Sequence, residues 1–120
     1  GACALGFVAR SVVPVKKAIE LLEAATGWET SLWELMKAGE RSHAMARTYN
    51  TKCGFTKKDD RLPAKFFSPI NKGPLDGKMA IDERAFAEAV DLYYEMAGWE
   101  KESGQPNRGK LMELGLEWLV

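Results

Sequence analysis

This sequence has few histidines and cysteines and no net charge, and each of these features limits the functions that the protein could have. The chain has one histidine and two cysteines among 120 residues, and its 17 basic residues balance 17 acidic ones to a net charge of zero. A surface that binds duplex nucleic acid normally carries excess Lys and Arg, so we predict no nucleic-acid partner. No apolar run approaches the ~20 residues of a membrane span. The opening residues lack the charged region of a signal peptide. We therefore predict a cytoplasmic protein without membrane contact.

The few residues with obvious catalytic chemistry have no visible partners in the sequence. His43 lies in a helical pattern with neither an activated nucleophile nor an orienting group nearby, so we interpret it as a half-buried polar residue. The carboxylates of Asp59 and Asp60 follow two lysines, and we expect the four charges to pair within one tight turn rather than to bind a metal. Cys53 is interpreted as structural, although a disulfide with Cys3 stays open.

The first half of the chain shows two helical patterns. One runs over Val15–Thr26 and stops at Gly27, with Val15, Ile19 and Leu22 on a common face. Ser31 followed by Glu34 resembles a capping box, which predicts a second helix from near Leu32 to Cys53. Gly54 ends this pattern because glycine readily adopts the positive φ found at helix C-termini.

The second half begins with a loop and returns to helix. Three prolines and two glycines between Leu62 and Lys78 forbid a long regular element there. Asp82 is a good N-cap for a helix over Glu83–Ala97, whose predicted buried stripe is Phe86, Val90, Tyr93 and Ala97. Asn107 can cap a last helix, Arg108–Leu114.

No stretch alternates with the period of a β-strand, which predicts an all-α fold. We expect an orthogonal bundle of four or five helices with long Pro/Gly-rich connections, forming a single domain over residues 1–120. The four tryptophans are expected in its core: Trp28, Trp33, Trp99 and Trp118.

The segment Asn50–Pro63 carries a specific motif, Asn-Thr-Lys-Cys-Gly-Phe-Thr-Lys-Lys-Asp-Asp-Arg-Leu-Pro. It resembles the Asn-x-Arg-x-Gly-Phe-Thr-Arg-Lys-Asp-Asp-x-Leu-Pro run near the C-terminus of tungsten-containing aldehyde ferredoxin oxidoreductases. Lys52 and Lys57 stand where that family usually has arginine. A bidentate contact made by either arginine would not be reproduced by lysine.

Two later segments are similar to the same family. Leu92–Trp99 resembles its Tyr-Tyr-x-x-Arg-Gly-Trp pattern, with Ala97 in place of the arginine, and the end of the chain follows its Pro-x-x-x-x-Leu-x-x-Leu-Gly-Leu pattern. The Gly-Pro and Gly-Lys pairs at 73–74 and 77–78 match a family loop. The resemblance covers most of Gly39–Leu116, and these later motifs consist of helix stops, a turn and aromatic residues.

The N-terminus resembles the end of the family's Asp-x-x-Gly-x-Cys motif, through Gly1, Ala2 and Cys3. That resemblance implies that Cys3 is a ligand of a [4Fe–4S] cluster, and that the backbone at Ala2 lies between the cluster and a tungsten or molybdenum bis-pterin cofactor. A cubane cluster usually needs four thiolates, and this chain has two cysteines far apart. We therefore expect the isolated chain to bind no cofactor.

The resemblance implies part of an enzyme that oxidises an aldehyde to a carboxylic acid and passes electrons to ferredoxin. In this hypothesis the remaining domains of the parent enzyme, or a larger subunit, are the partners of the chain, and the chain alone is inert. The alternative is a stand-alone helical interaction module of the same ancestry, which would use the apolar first dozen residues as its contact surface. The sequence that precedes Gly1 in the gene would separate the two hypotheses.

Overall fold

The computed structural model describes residues 13–74, 77 and 80–120. Four α-helices lie in this part of the chain: α1 (Val15–Thr26), α2 (Leu32–Lys52), α3 (Glu83–Ala97) and α4 (Arg108–Glu113). Single turns of 3₁₀ helix occur at Lys57–Asp59, Ala64–Phe67 and Glu117–Leu119. The described residues contain no strand, only an isolated antiparallel bridge between Trp99 and Pro106. The all-α prediction is confirmed, whereas the orthogonal arrangement stays a prediction.

The helix boundaries follow the capping signals of the sequence. Ser31 and Glu34 form the reciprocal capping box at the start of α2, with the Ser31 amide donating to Glu34 at 2.7 Å and the Glu34 amide to Ser31 Oγ at 3.2 Å. Asp82 accepts from the Ala85 amide at 2.7 Å and starts α3. Each side chain satisfies a backbone N–H that has no partner inside its helix. Within the described residues, no helix is both long and apolar enough to cross a membrane.

The chain divides into two compact units, Gly1–Ser42 and His43–Val120. In the first unit, no residue from 13 to 42 is buried. The second unit contains a small apolar core of Ala44, Leu111, Leu114 and Leu116, with Leu119 packed against it. The prediction of a single domain over 1–120 stays a prediction.

The tryptophans are mostly not core residues, contrary to the expectation from the sequence. Trp28, Trp33 and Trp118 expose 71%, 66% and 64% of their surface, and only Trp99 is half-buried. Trp33 is the one of these three that lies in an α-helix, whereas Trp28 is in the loop after α1 and Trp118 is in the 3₁₀ turn Glu117–Leu119. Large exposed apolar surfaces of this kind mark contacts with other protein surfaces.

Candidate functional site

A buried arginine, Arg47, organises the polar interior of the second unit. Its side chain lies on α2 and is 8% exposed. Nε donates to the carbonyl of Gly104 at 2.7 Å, Nη1 to Asp60 Oδ1 at 3.0 Å, and Nη2 to the Tyr94 hydroxyl at 3.0 Å. Nη2 also lies 2.6 Å from Asp60 Oδ2, so the guanidinium contacts both carboxylate oxygens. This fork geometry is the one that arginine provides and lysine does not.

Two aromatic rings complete the surroundings of Arg47. Its guanidinium carbon is 5.2 Å from the centroid of Trp99 and 5.6 Å from that of Tyr94. The two rings are 5.7 Å apart and tilted by 43°. A guanidinium within about 6 Å of an aromatic face is attracted by the ring's negative π surface. We call Arg47, Asp60, Tyr94, Trp99 and Gly104 the arginine cluster.

Each member of the arginine cluster is held by its own local structure. Asp60 directly follows the 3₁₀ turn Lys57–Asp59, which is fixed by a capping box between Thr56 and Asp59. Tyr94 is on the buried face of α3, and Trp99 follows the glycine that ends this helix. Gly104 lies in the turn between the bridged residues Trp99 and Pro106, with φ of 71°. The cluster therefore joins α2, α3 and two loops of the second unit.

Burial and hydrogen bonding shift the protonation equilibria inside the cluster. Burial, followed by donation to Asp60, raises the pKa of Tyr94 to about 12. Burial opposes ionisation of Asp60, but hydrogen bonds from Arg47 and Tyr94 outweigh it and lower the pKa of this carboxyl. The Asp60 contribution to stability is thus present above the ordinary carboxyl pKa of ~4 and is lost as the pH falls through the lowered value. Near neutrality, the cluster contains a cation, a carboxylate and a neutral phenol.

The raised pKa of Tyr94 predicts a specific loss of stability at alkaline pH. An unfolded tyrosine ionises near pH 10, whereas Tyr94 in the folded chain keeps its proton to about pH 12. The folded state therefore binds more protons in this window, and its stability falls as the pH rises through it. We expect the stability advantage of the unmodified chain over Tyr94→Phe to narrow from pH 10 to 12, as measured by urea unfolding. A pH-independent difference would contradict this assignment, and Tyr93→Phe, half-exposed on the same helix, is the matched control.

The charged residues of the central motif do not pair with one another as predicted. Lys57 forms an ion pair with Asp91 on α3, and Asp60 pairs with Arg47 on α2. Asp59 instead accepts the Thr56 amide at 2.8 Å as part of the capping box. The expectation of pairing within one turn is wrong because Lys57 and Asp60 pair with charged residues of α3 and α2, and Asp59 accepts a backbone N–H of its own loop.

Two further predictions about site residues need correction. Tyr94, at 2% exposure, is the buried tyrosine of α3, while the predicted Tyr93 is 52% exposed. Tyr93 and Tyr94 lie three and four residues after Val90, so either could share its buried helix face. The hydrogen-bond partners of the Tyr94 hydroxyl decide which of the two is buried. His43 is exposed rather than half-buried. It has no role in the arginine cluster.

An open groove of about 990 Å³ runs beside the cluster, between the Phe55–Ala64 loop and α3. Its apolar lining includes Phe55, Phe67, Phe86 and Val90. Among the residues that the structure describes, no group of three or more His, Cys, Asp or Glu side chains is placed to hold a metal ion. Cys53 is a free, exposed thiol. Ala2 and Cys3, the predicted cofactor and metal residues, lie outside the described part of the chain.

A sequence model of a known family matches residues 1–116, and its description is "Aldehyde ferredoxin oxidoreductase, domains 2 & 3". The chain belongs to the aldehyde ferredoxin oxidoreductase family. Similar proteins include the tungsten-containing aldehyde ferredoxin oxidoreductases of Pyrococcus horikoshii, 36% identical over 100 residues, and Pyrococcus abyssi, 35% identical over 103 residues. These alignments cover 82% and 84% of this chain but 16% of each relative. The chain thus spans about one sixth of the length of its relatives.

The family resemblance explains how the cluster could have been found in the sequence. Asp60 is the second Asp of the central motif, while Tyr94 and Trp99 belong to the Tyr-Tyr pattern of α3 and its end. These two motifs, separate in sequence, meet at Arg47 in the structure. Arg47 itself was missed, because it lies in a helix without a motif of its own. The available signal was an arginine three residues after Ala44, and therefore on the same helix face as that apolar residue.

Proposed function

We propose that this chain is the C-terminal helical portion of an enzyme that oxidises an aldehyde to a carboxylic acid and delivers the electrons to ferredoxin. The match of the family model over residues 1–116 is the observation that carries this proposal. The relatives are named as tungsten-containing, which favours tungsten over molybdenum in the bis-pterin cofactor. A free, exposed Cys53 suits a reduced cytoplasmic setting.

Within this proposal, Cys3 is the residue that binds a metal centre, as one ligand of a [4Fe–4S] cluster, and Ala2 is adjacent to the pterin. When bound, such a cluster passes electrons singly, which suits a reaction that takes up water and releases an electron pair and protons. The described residues offer no metal-ligand group of their own. The other thiolates and the pterin contacts would therefore come from the rest of the family polypeptide. The isolated chain should be inert.

The described residues then have a structural role in the enzyme. Arg47 holds Asp60, Tyr94 and the Gly104 carbonyl in fixed positions. This fixes the Phe55–Ala64 loop against α3 and shapes the groove between them. A rigid helical scaffold of this kind supports a site whose reactive groups are supplied by other elements.

The proposal is tested in a hybrid enzyme. This chain replaces its matched segment in the aldehyde ferredoxin oxidoreductase of Pyrococcus furiosus, which is 35% identical over 99 residues. We expect an anaerobically prepared hybrid to contain iron and tungsten and to reduce a viologen dye with an aliphatic aldehyde. Cys3→Ala should lose the cluster iron and the activity, whereas Cys53→Ala, which removes an exposed thiol, should retain both.

Other outcomes would change the proposed function. A folded hybrid that retains iron after Cys3→Ala would remove Cys3 from the ligand set. A hybrid that binds neither metal would favour the stand-alone interaction module. Iron and sulfide reconstitution of the isolated 120-residue chain tests its inertness directly, because a stable cluster lost in Cys3→Ala would show that the chain binds one itself.

A further inference from the structure

The start of α2 presents an apolar patch to solvent. Leu32, Trp33 and Met36 expose 47%, 66% and 64% of their surfaces. Leu32 and Trp33 lie four and three residues before Met36, so all three side chains are on one side of the helix. We call these residues the α2 patch. No charged side chain belongs to it, and an exposed cluster of large apolar residues containing tryptophan is typical of a protein–protein contact.

The edge of the patch is polar, as at the rim of an interface. Lys37 Nζ lies 5.7 Å from the centroid of the Trp33 ring and 2.7 Å from a carboxylate oxygen of Glu40. An apolar centre with charged residues around it is the usual anatomy of a specific protein interface. The uncharged centre indicates an apolar partner surface rather than a charged ligand.

The length of the relatives bears on what could cover the α2 patch. The family model covers residues 1–116 and so includes the patch, yet the chain corresponds to only 16% of the relatives' length. Most of each relative thus has no counterpart here. We propose that the α2 patch docks against an apolar surface of that remaining polypeptide, an inference that rests on the proposed function. A tryptophan and a methionine at the centre of the contact would make it sensitive to a single buried charge.

A matched pair of variants tests this proposal. Met36→Glu and Ala38→Glu each add one negative charge to the same helix at an exposed position, but about 200° apart around its axis. In the isolated chain we expect neither variant to shift the urea midpoint, since neither site is buried. In the hybrid enzyme, Met36→Glu should lower the thermal midpoint by roughly 5 °C or more and reduce the retained tungsten. Ala38→Glu should leave both unchanged.

Each alternative gives a different result. Equal behaviour of the two variants in an active, metal-loaded hybrid overturns the docking proposal while the proposed function stands. A Met36→Glu effect of equal size in the isolated chain would show packing within the chain instead. An isolated chain that dimerises, with Met36→Glu dissolving the dimer, would make a second copy the occupant. A hybrid that binds no metal overturns both proposals together.

Discussion

Replacing Arg47 with methionine is expected to destabilise the chain by about 2–3 kcal/mol. Removing one member of a buried ion pair typically costs 3–5 kcal/mol because the other charge is left desolvated. Here the Asp60 side chain is 34% exposed, so water compensates for part of that loss. Methionine keeps most of the side-chain volume, and the remaining cost comes from the Asp60 carboxylate, which loses its cation but keeps the hydrogen bond from Tyr94, and from the Gly104 carbonyl, which loses its donor. Urea unfolding near neutral pH measures the difference.

Three control variants separate the causes of this loss. Arg84→Ala removes an exposed arginine of α3 and should cost about 0.5 kcal/mol or less, since surface pairs contribute little. Arg47→Lys keeps the charge without the fork and should recover only part of the stability. A double-mutant cycle with Asp60→Asn should give a coupling energy of about 1 kcal/mol or more. An Arg47→Met variant as stable as Arg84→Ala would show that the cluster does not hold the fold.

Gly104→Ala is expected to destabilise the second unit by about 3 kcal/mol. A Cβ at this position would lie 2.0 Å from Arg47 Nη2 and 2.8 Å from the Tyr94 hydroxyl oxygen. Neither group can move without breaking hydrogen bonds of the arginine cluster. The positive φ of 71° adds about 1–2 kcal/mol for any residue with a Cβ. Thermal and urea unfolding should show the full loss.

Gly54→Ala isolates the backbone part of that effect. Gly54 also has a positive φ, 94°, but a Cβ there would meet nothing within 4 Å. Both glycines lie in the second unit. We expect Gly54→Ala to cost about 1–2 kcal/mol, which is the conformational penalty alone. Equal losses at Gly54 and Gly104 would mean that the close approach of the Gly104 backbone to Arg47 is unimportant.

The sequence predicted the helices well because the residues that start and end a helix are close to its ends in sequence. The bounds of α1 and α3 agree with the predicted ranges, and the predicted caps Ser31, Asp82 and Asn107 are present. Glycines with positive φ end these helices at Gly27 and Gly98. Capping and helix termination depend on a few neighbouring residues, so a single sequence contains the information.

The partners of the charged and aromatic residues were not predictable in the same way. From the sequence, Asp60 was expected to pair with one of the two lysines in the same turn. In the structure its cation is the buried Arg47 on α2. Similarly, helical periodicity allowed either Tyr93 or Tyr94 on the buried face of α3. The choice depends on which hydroxyl reaches Asp60 and Arg47. The exposure of Trp28 and Trp33 was not predictable either, because an apolar residue type does not show whether another element of the fold covers it.

The sequence separations within the arginine cluster have a consequence for cooperativity. Arg47 donates to residues that are 13, 47 and 57 positions later in the chain. Each of these contacts can form only after the intervening segment has been closed into a loop, which costs conformational entropy. The same guanidinium group holds all three loops closed. Loss of that group should therefore weaken all three closures together. Opening of the second unit should therefore be a single concerted event, with the amides of α3 and of the Gly104 turn showing a common free energy of opening in hydrogen exchange.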